Sequence, residues 1–166
     1  MATKKNISFS YTEFENQAEL EPGDRELLDI AGKTALNAYA PYSGFRVGAA
    51  IRLASGAVVT GTNVENAAFP SGICAERAAI SNASSNFPGD KPVTIAIAAL
   101  SDSDMLTDDI VSPCGNCRQV IAEEELRNEN YIRIILGSNK KIRVIENAGD
   151  LLPLQFSKVN LKLARR

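Results

Sequence analysis

Val93-Thr94-Ile95-Ala96-Ile97-Ala98-Ala99-Leu100, framed by Pro92 and Ser101, is a continuous apolar run with little polar alternation. Such a run reads as a strand covered on both faces, and a covered central strand requires helices on either side of its sheet. Downstream, Pro113 with Ser112 as its cap opens a helix through Cys114, Cys117, Val120, Ile121 and Leu126, and Tyr131 to Leu136 reads as the next strand. Strand, helix, strand predicts a parallel crossover. Upstream, Asp24 reads as the N-cap of a helix whose Leu27, Leu28, Ala31, Ala35, Leu36 and Ala38 recur at helical spacing until Pro41. Phe45 to Leu53 and Ala57 to Thr60, joined at Ser55-Gly56, read as a β-hairpin, and a second helix opens at or just before Cys74. Ile142 to Ile145 reads as a short strand, and Asp150 to Phe156 as the start of a last helical segment before a basic end.

The sum is an α/β fold: a three-layer α/β/α sandwich around a mixed sheet of about five strands. The 166 residues fit one domain, read as an N-terminal extension over residues 1–23 and a folded domain over 24–166. Both cysteine-bearing segments fall at helix starts after loops, where ligands collect in sheets of this kind.

Charge is nearly balanced, at −2, and no lysine or arginine stripe is present, which argues against a nucleic-acid partner. No apolar stretch approaches the roughly 20 residues of a membrane span, and no secretory signal follows Lys4 and Lys5, so a soluble cytoplasmic protein is expected. Three cysteines cannot pair off completely and, without a secretory signal, point to metal binding or catalysis. Histidine is absent, so proton transfer falls to a carboxylate and metal binding to thiolates.

Cys114-x-x-Cys117 places two sulfurs within one helical turn, and Cys74 at another helix start could supply a third ligand to the same ion. Three protein ligands leave one tetrahedral position open, as in catalytic zinc sites. Glu76, two residues past Cys74, could face that position and move protons. Each piece alone has an ordinary explanation. Cys114-x-x-Cys117 also suits a redox pair, half a zinc site or two buried thiols, and Glu76 also suits a first helical turn as favourable charge.

Together, Cys74-Ala75-Glu76-Arg77 and Pro113-Cys114-Gly115-Asn116-Cys117-Arg118-Gln119 resemble the signature of the small homotetrameric cytidine deaminases, a class whose zinc site and non-ligating glutamate are established chemistry. The likeness extends from the first helix to Phe156. It takes in Ala40-Pro41-Tyr42-Ser43-x-Phe45-x-Val47-Gly48-Ala49-Ala50, Gly61-x-Asn63-Val64-Glu65-Asn66 and Leu151-Leu152-Pro153-x-x-Phe156.

The resemblance implies one zinc per chain on Cys74, Cys114 and Cys117, with Glu76 as proton shuttle to zinc-activated hydroxide. It implies that Asn63 and Glu65 bind the ribose hydroxyls, that Phe45 stacks on the pyrimidine and that Phe156 closes the pocket of a neighbouring subunit. The Ala75 N–H would hold the base carbonyl, the Ser112 carbonyl would accept from the exocyclic amine, and Arg77 would hydrogen-bond the ligand sulfurs to offset their charge. An ordinary polar loop for Asn63 and Glu65, core positions for the two phenylalanines and a solvated helix face for Arg77 are the competing readings. The implied activity is deamination of cytidine and 2′-deoxycytidine in pyrimidine salvage by a homotetramer. Deaminases of the nucleoside antibiotic blasticidin S share the zinc motifs, though Asn63-Val64-Glu65-Asn66 favours simple nucleosides. A nonenzymatic zinc protein or Cys114-Cys117 redox switch is the alternative from another class. Phe69 stands where the family often has tyrosine, so a hydroxyl-mediated contact between subunits is lost there.

Overall fold

The structure, a computed structural model, describes residues 2–101 and 103–163. Six strands and four α-helices alternate along them: β1 (Thr12–Phe14), α1 (Pro22–Ala35), β2 (Arg46–Leu53), β3 (Val58–Thr62), α2 (Ala75–Asn86), β4 (Pro92–Leu100), α3 (Gly115–Asn128), β5 (Arg133–Gly137), β6 (Ile142–Ile145) and α4 (Lys158–Leu163). The sheet order is β1-β6-β5-β4-β2-β3. Only β4 and β5 run parallel, joined by α3 as the crossover, and every other neighbouring pair is antiparallel.

The apolar run is the central strand. Ile95 and Ile97 of β4 pack on one face with Ala75, Ala79 and Ile80 of α2 and Ile121 of α3, while Ala96 and Ala98 pack on the other with Leu27, Leu28 and Ala31 of α1. Alternation of side chains across a strand thus splits the core into two apolar layers, one under each helical face. On the α1 side the helix lies so close that a Cβ at Gly48 would stand 2.5 Å from the Ala35 nitrogen. Only a residue without a side chain permits that approach.

Four expectations are corrected, the first being the start of α3: its cap is Cys114, and Ser112 and Pro113 lie in the loop before it. The sheet has six strands, since Thr12–Phe14, in the segment read as an extension, pairs with β6 in the register Thr12↔Val144 to Phe14↔Ile142. Glu13 fixes this edge by accepting from Lys141 Nζ at 2.6 Å and Arg143 Nε at 2.8 Å. The helical turn expected over 150–156 is instead a short 3₁₀ turn at Ala148–Leu151, with α4 starting only at Lys158. Pro153 and the left-handed Leu154, at φ 59°, break the helix between them. The basic end, Arg165 and Arg166, lies outside the described residues.

Asp24 is not the N-cap of α1. Glu21 holds that position with Pro22 as the first helical residue, where a missing N–H costs nothing. Asp24 is instead buried and forms ion pairs with Arg133 of β5 and, at 3.8 Å, with Arg52 of β2. Removing a buried partner of two half-exposed arginines costs less than breaking a fully buried pair. Asp24→Ala is expected to destabilise the fold by about 2 kcal/mol and to lower Tm by about 5 °C. A calorimetric scan within 1 °C or so of wild type would show that the pair contributes nothing.

Candidate metal and nucleoside site

Two helix N-termini converge on the site. Cys74 and Cys114 are the N-cap residues of α2 and α3, in extended backbone, and Cys117 lies in the first turn of α3, fully buried. The Sγ atoms of Cys74, Cys114 and Cys117 all lie within 4.8 Å of one another, with Cys114 and Cys117 at 3.5 Å. A tetrahedral zinc with sulfurs at about 2.3 Å spaces them about 3.8 Å apart, so this trio fits the ion with a small adjustment.

The electrostatics also favour a cation. Burial pushes the Cys74 thiol up and the Cys117 thiol far up, and the Glu76 charge raises both further. Burial opposes ionisation of Cys114 too, but the Cys117 and Asn116 backbone N–H groups aim at its sulfur and bring the thiol below its ordinary value. Cys114 is exposed, but the partly buried Cys74 and the buried Cys117, beside a carboxyl group, ionise together with it only if a positive charge is placed among them. The helix N-termini add a smaller push in the same direction.

Glu76 is 5% exposed, in the first turn of α2. Burial raises its carboxyl above the usual range, countered in part by its own backbone N–H and the Cys117 thiol. It is thus a desolvated carboxyl against the sulfur cluster. What holds α2 in place is β3: a Cβ at Gly61 would lie 2.7 Å from the Ala75 carbonyl oxygen and 2.8 Å from the Ala78 carbonyl carbon.

A cleft of about 490 Å³ runs from Cys74 to Asn63 and Glu65, flanked by Tyr42 and Phe69. The loop beneath it is ordered by backbone pairing, Val64 with Ile73 at 3.0 Å each way and the Glu65 N–H to the Tyr39 carbonyl at 2.8 Å. The two polar candidates are therefore fixed parts of the fold. Asn63 Nδ2 donates to the Phe45 carbonyl at 2.8 Å and its Oδ1 accepts from the Val47 N–H at 2.7 Å. Glu65 Oε2 accepts from the Tyr42 and Ser43 N–H groups at 2.9 and 3.3 Å, and Oε1 accepts from the Ser43 hydroxyl.

The other candidates stand apart from that cleft. Phe45 is 41% exposed and lines a neighbouring groove with Met105, Asp109 and Val111. Ser112 lies on the loop before Cys114 and borders a small cavity with Phe9, Tyr11 and Arg118. Ala75 is buried as the first residue of α2, where N–H groups have no partner within the helix. Phe156 is 59% exposed, its carbonyl held by Gln119 Nε2 at 2.8 Å. Arg77 is half-buried, and among the described residues its guanidinium makes no hydrogen bond to a sulfur. Phe69 is 75% exposed and meets Tyr42 edge-on at 6.0 Å.

Nothing in its spacing assigns Arg118 a role, yet its Nε donates to the Pro113 carbonyl at 2.8 Å and its Nη1 to the Leu151 carbonyl at 3.0 Å. It braces the loop that carries Cys114 against the C-terminal segment. The signal was its place next to Cys117 in the quoted motif.

Residues 22–132 match the cytidine and deoxycytidylate deaminase zinc-binding region. The chain belongs to that deaminase family. A cytidine deaminase of Halalkalibacterium halodurans is 46% identical over 136 residues, covering 81% of this chain and 95% of the relative. The crystal structure of a cytidine deaminase from Burkholderia pseudomallei superposes with a TM-score of 0.67 at 36% identity, over 79% of this chain and 97% of that one. A blasticidin-S deaminase of Bacillus cereus is 29% identical over 136 residues, covering 81% of this chain and 93% of the relative. The chain is accordingly an enzyme of the deaminase class, with a three-cysteine cluster able to hold the metal for which the family is named. Among the described residues no helix is long and apolar enough to cross a membrane.

Proposed function

We propose that this deaminase hydrolyses the C4 amino group of cytidine and 2′-deoxycytidine, giving uridine or 2′-deoxyuridine and ammonia, as a cytoplasmic step of pyrimidine salvage. The reading is carried by one juxtaposition: three sulfurs within 4.8 Å of one another, a buried Glu76 against them, and a largely apolar cleft leading from Cys74 to the polar side chains of Asn63 and Glu65. Cys74, Cys114 and Cys117 would hold one zinc. When bound, zinc leaves a fourth position for water and lowers that water's pKa to about 7.

The chain's own groups do the rest. Glu76 takes a proton from the attacking water and passes it to N3 as the oxygen bonds to C4, then takes the proton of the new C4 hydroxyl and delivers it to the amine as the C4–N bond breaks and the C4 carbonyl forms, so that water and cytidine become uridine and ammonia. Desolvation suits it to both duties, because burial raises the carboxyl above its ordinary value and makes it a better proton acceptor than an exposed glutamate. The Ala75 N–H would hold the base carbonyl, the Ser112 carbonyl would accept from the amine, and Phe45 would stack on the ring. Arg77 would offset the charge of the three thiolates.

Sugar recognition follows from hydrogen-bond capacity. Each carboxylate oxygen has two acceptor sites, and Glu65 already uses three of its four. Asn63 Nδ2 uses one of two donors on Phe45. One Glu65 acceptor site, one Asn63 donor and the second acceptor site of Asn63 Oδ1 remain, enough for one sugar hydroxyl or for two, and this supports acceptance of both the ribo- and deoxyribonucleoside. The family resemblance implies a homotetramer in which Phe156 closes the pocket of a neighbouring subunit, and its side chain is exposed as that role requires.

A panel of cytidine, 2′-deoxycytidine, free cytosine and blasticidin S, assayed for ammonia with zinc content and oligomeric mass measured on the same sample, tests the reading. Turnover of the two nucleosides with about one zinc per chain is the expected result. Turnover of blasticidin S alone, or none by zinc-loaded protein, would reject it.

A further inference from the structure

Ser43 takes no part in the reaction above, yet its hydroxyl stands where the binding groups meet. It donates to Glu65 Oε1 and accepts from the Phe45 N–H at 3.0 Å. The Phe45 carbonyl is held in turn by Asn63 Nδ2 at 2.8 Å, so the Phe45 peptide is gripped on both sides. A serine hydroxyl bonded to the N–H two residues on is an ordinary turn feature. A bond to a carboxylate 22 residues away in sequence, on the wall of a cleft, is not explained by the turn.

We propose that Ser43 is a positioning residue for sugar recognition: its hydroxyl fixes the Glu65 carboxylate in the orientation that accepts a hydrogen bond from a sugar hydroxyl, and ties it to the Phe45 peptide. The inference rests on reading Asn63 and Glu65 as the sugar contacts of a nucleoside.

The physical reason is pre-organisation. An unrestrained glutamate at a cleft wall spreads over many rotamers, and fixing it when substrate arrives would weaken binding. Two backbone N–H groups, from Tyr42 and Ser43, hold only Oε2 and leave the carboxylate free to swing about that anchor. The Ser43 hydroxyl holds Oε1, the oxygen with the spare acceptor site, and so determines where that site points. The same hydroxyl, then the Tyr42 N–H, keeps the Glu65 carboxyl below its ordinary range, so the group meets a neutral nucleoside as a pure acceptor.

The test compares zinc-loaded wild type, Ser43→Ala and Ser43→Thr on cytidine and on 2′,3′-dideoxycytidine, which lacks the 2′- and 3′-hydroxyls assigned to Asn63 and Glu65 and keeps only the 5′-hydroxyl. Losing a hydrogen bond to a charged group should raise the cytidine KM of Ser43→Ala about tenfold, with kcat within about twofold of wild type. With dideoxycytidine, read as kcat/KM or as Ki against cytidine, Ser43→Ala and wild type should agree within about twofold. Ser43→Thr, which keeps the hydroxyl, should bring the cytidine KM back to within about threefold of wild type. An unchanged cytidine KM in Ser43→Ala, or an equal loss with both substrates, would overturn the assignment and leave Ser43 a turn residue. Zinc-loaded wild type that fails to deaminate cytidine would instead reject the nucleoside reading, and the role of Ser43 with it.

Discussion

Glu76→Gln is expected to keep its zinc at the wild-type ratio and to lose activity by about 10²- to 10⁴-fold in kcat, the usual worth of a positioned general acid–base. Glutamine has the shape of glutamate and the hydrogen-bonding capacity to fill the same buried place, but it cannot carry a proton. Because Glu76 touches the sulfur cluster without being one of the three sulfurs, metal retention and proton transfer separate in this variant. Stability should not fall, since a buried carboxyl is replaced by a neutral amide that needs no counter-charge. Metal analysis and ammonia release on one preparation decide the matter. A kcat within about tenfold of wild type would remove Glu76 from the reaction. Loss of zinc would make its role structural. Cys117→Ser gives the contrast, because removing a buried sulfur from the trio should release the metal and the activity together.

Local pattern decided most of the architecture. Val93 to Leu100 was legible because burial on both faces leaves an unbroken apolar run, and the three cysteines because metal chemistry demands a residue type that few other roles require. The helices carrying them begin one residue after Cys74 and Cys114, since both cysteines occupy the cap position. β1 was not legible: Thr12-Glu13-Phe14 has no periodicity, and it is held by Glu13 against Lys141 and Arg143, residues nearly 130 positions away. The same limit hid the true role of Asp24, whose place beside a helix start imitates a cap while its partners lie on β2 and β5. Ser43 and Arg118 appear within the quoted motifs, but what each does depends on a contact that no spacing rule encodes.

Gly61→Ala should be the most damaging single-atom addition near the site, with a loss of about 3 kcal/mol and a fall in Tm of about 10 °C. The added carbon would press on the main chain of α2 at Ala75, Ala78 and Ala79, and main chain cannot turn aside as a flexible side chain can. Nor can α2 retreat cheaply, because Ala75, Ala79, Ile80 and Ala83 are packed into the core beneath it. Gly56 and Gly89 provide the comparison. Both have open space around the missing side chain and positive φ, so an alanine there costs backbone strain without pressing on the helix. If Gly61→Ala lifts α2 by even a fraction of an ångström, Cys74 and Glu76 move away from Cys114 and Cys117, which sit on a different helix. Zinc affinity, measured by chelator competition well below the melting temperature, should therefore weaken in Gly61→Ala and not in Gly56→Ala. Equal affinities would show that the contact between β3 and α2 stabilises the fold without setting the geometry of the metal site.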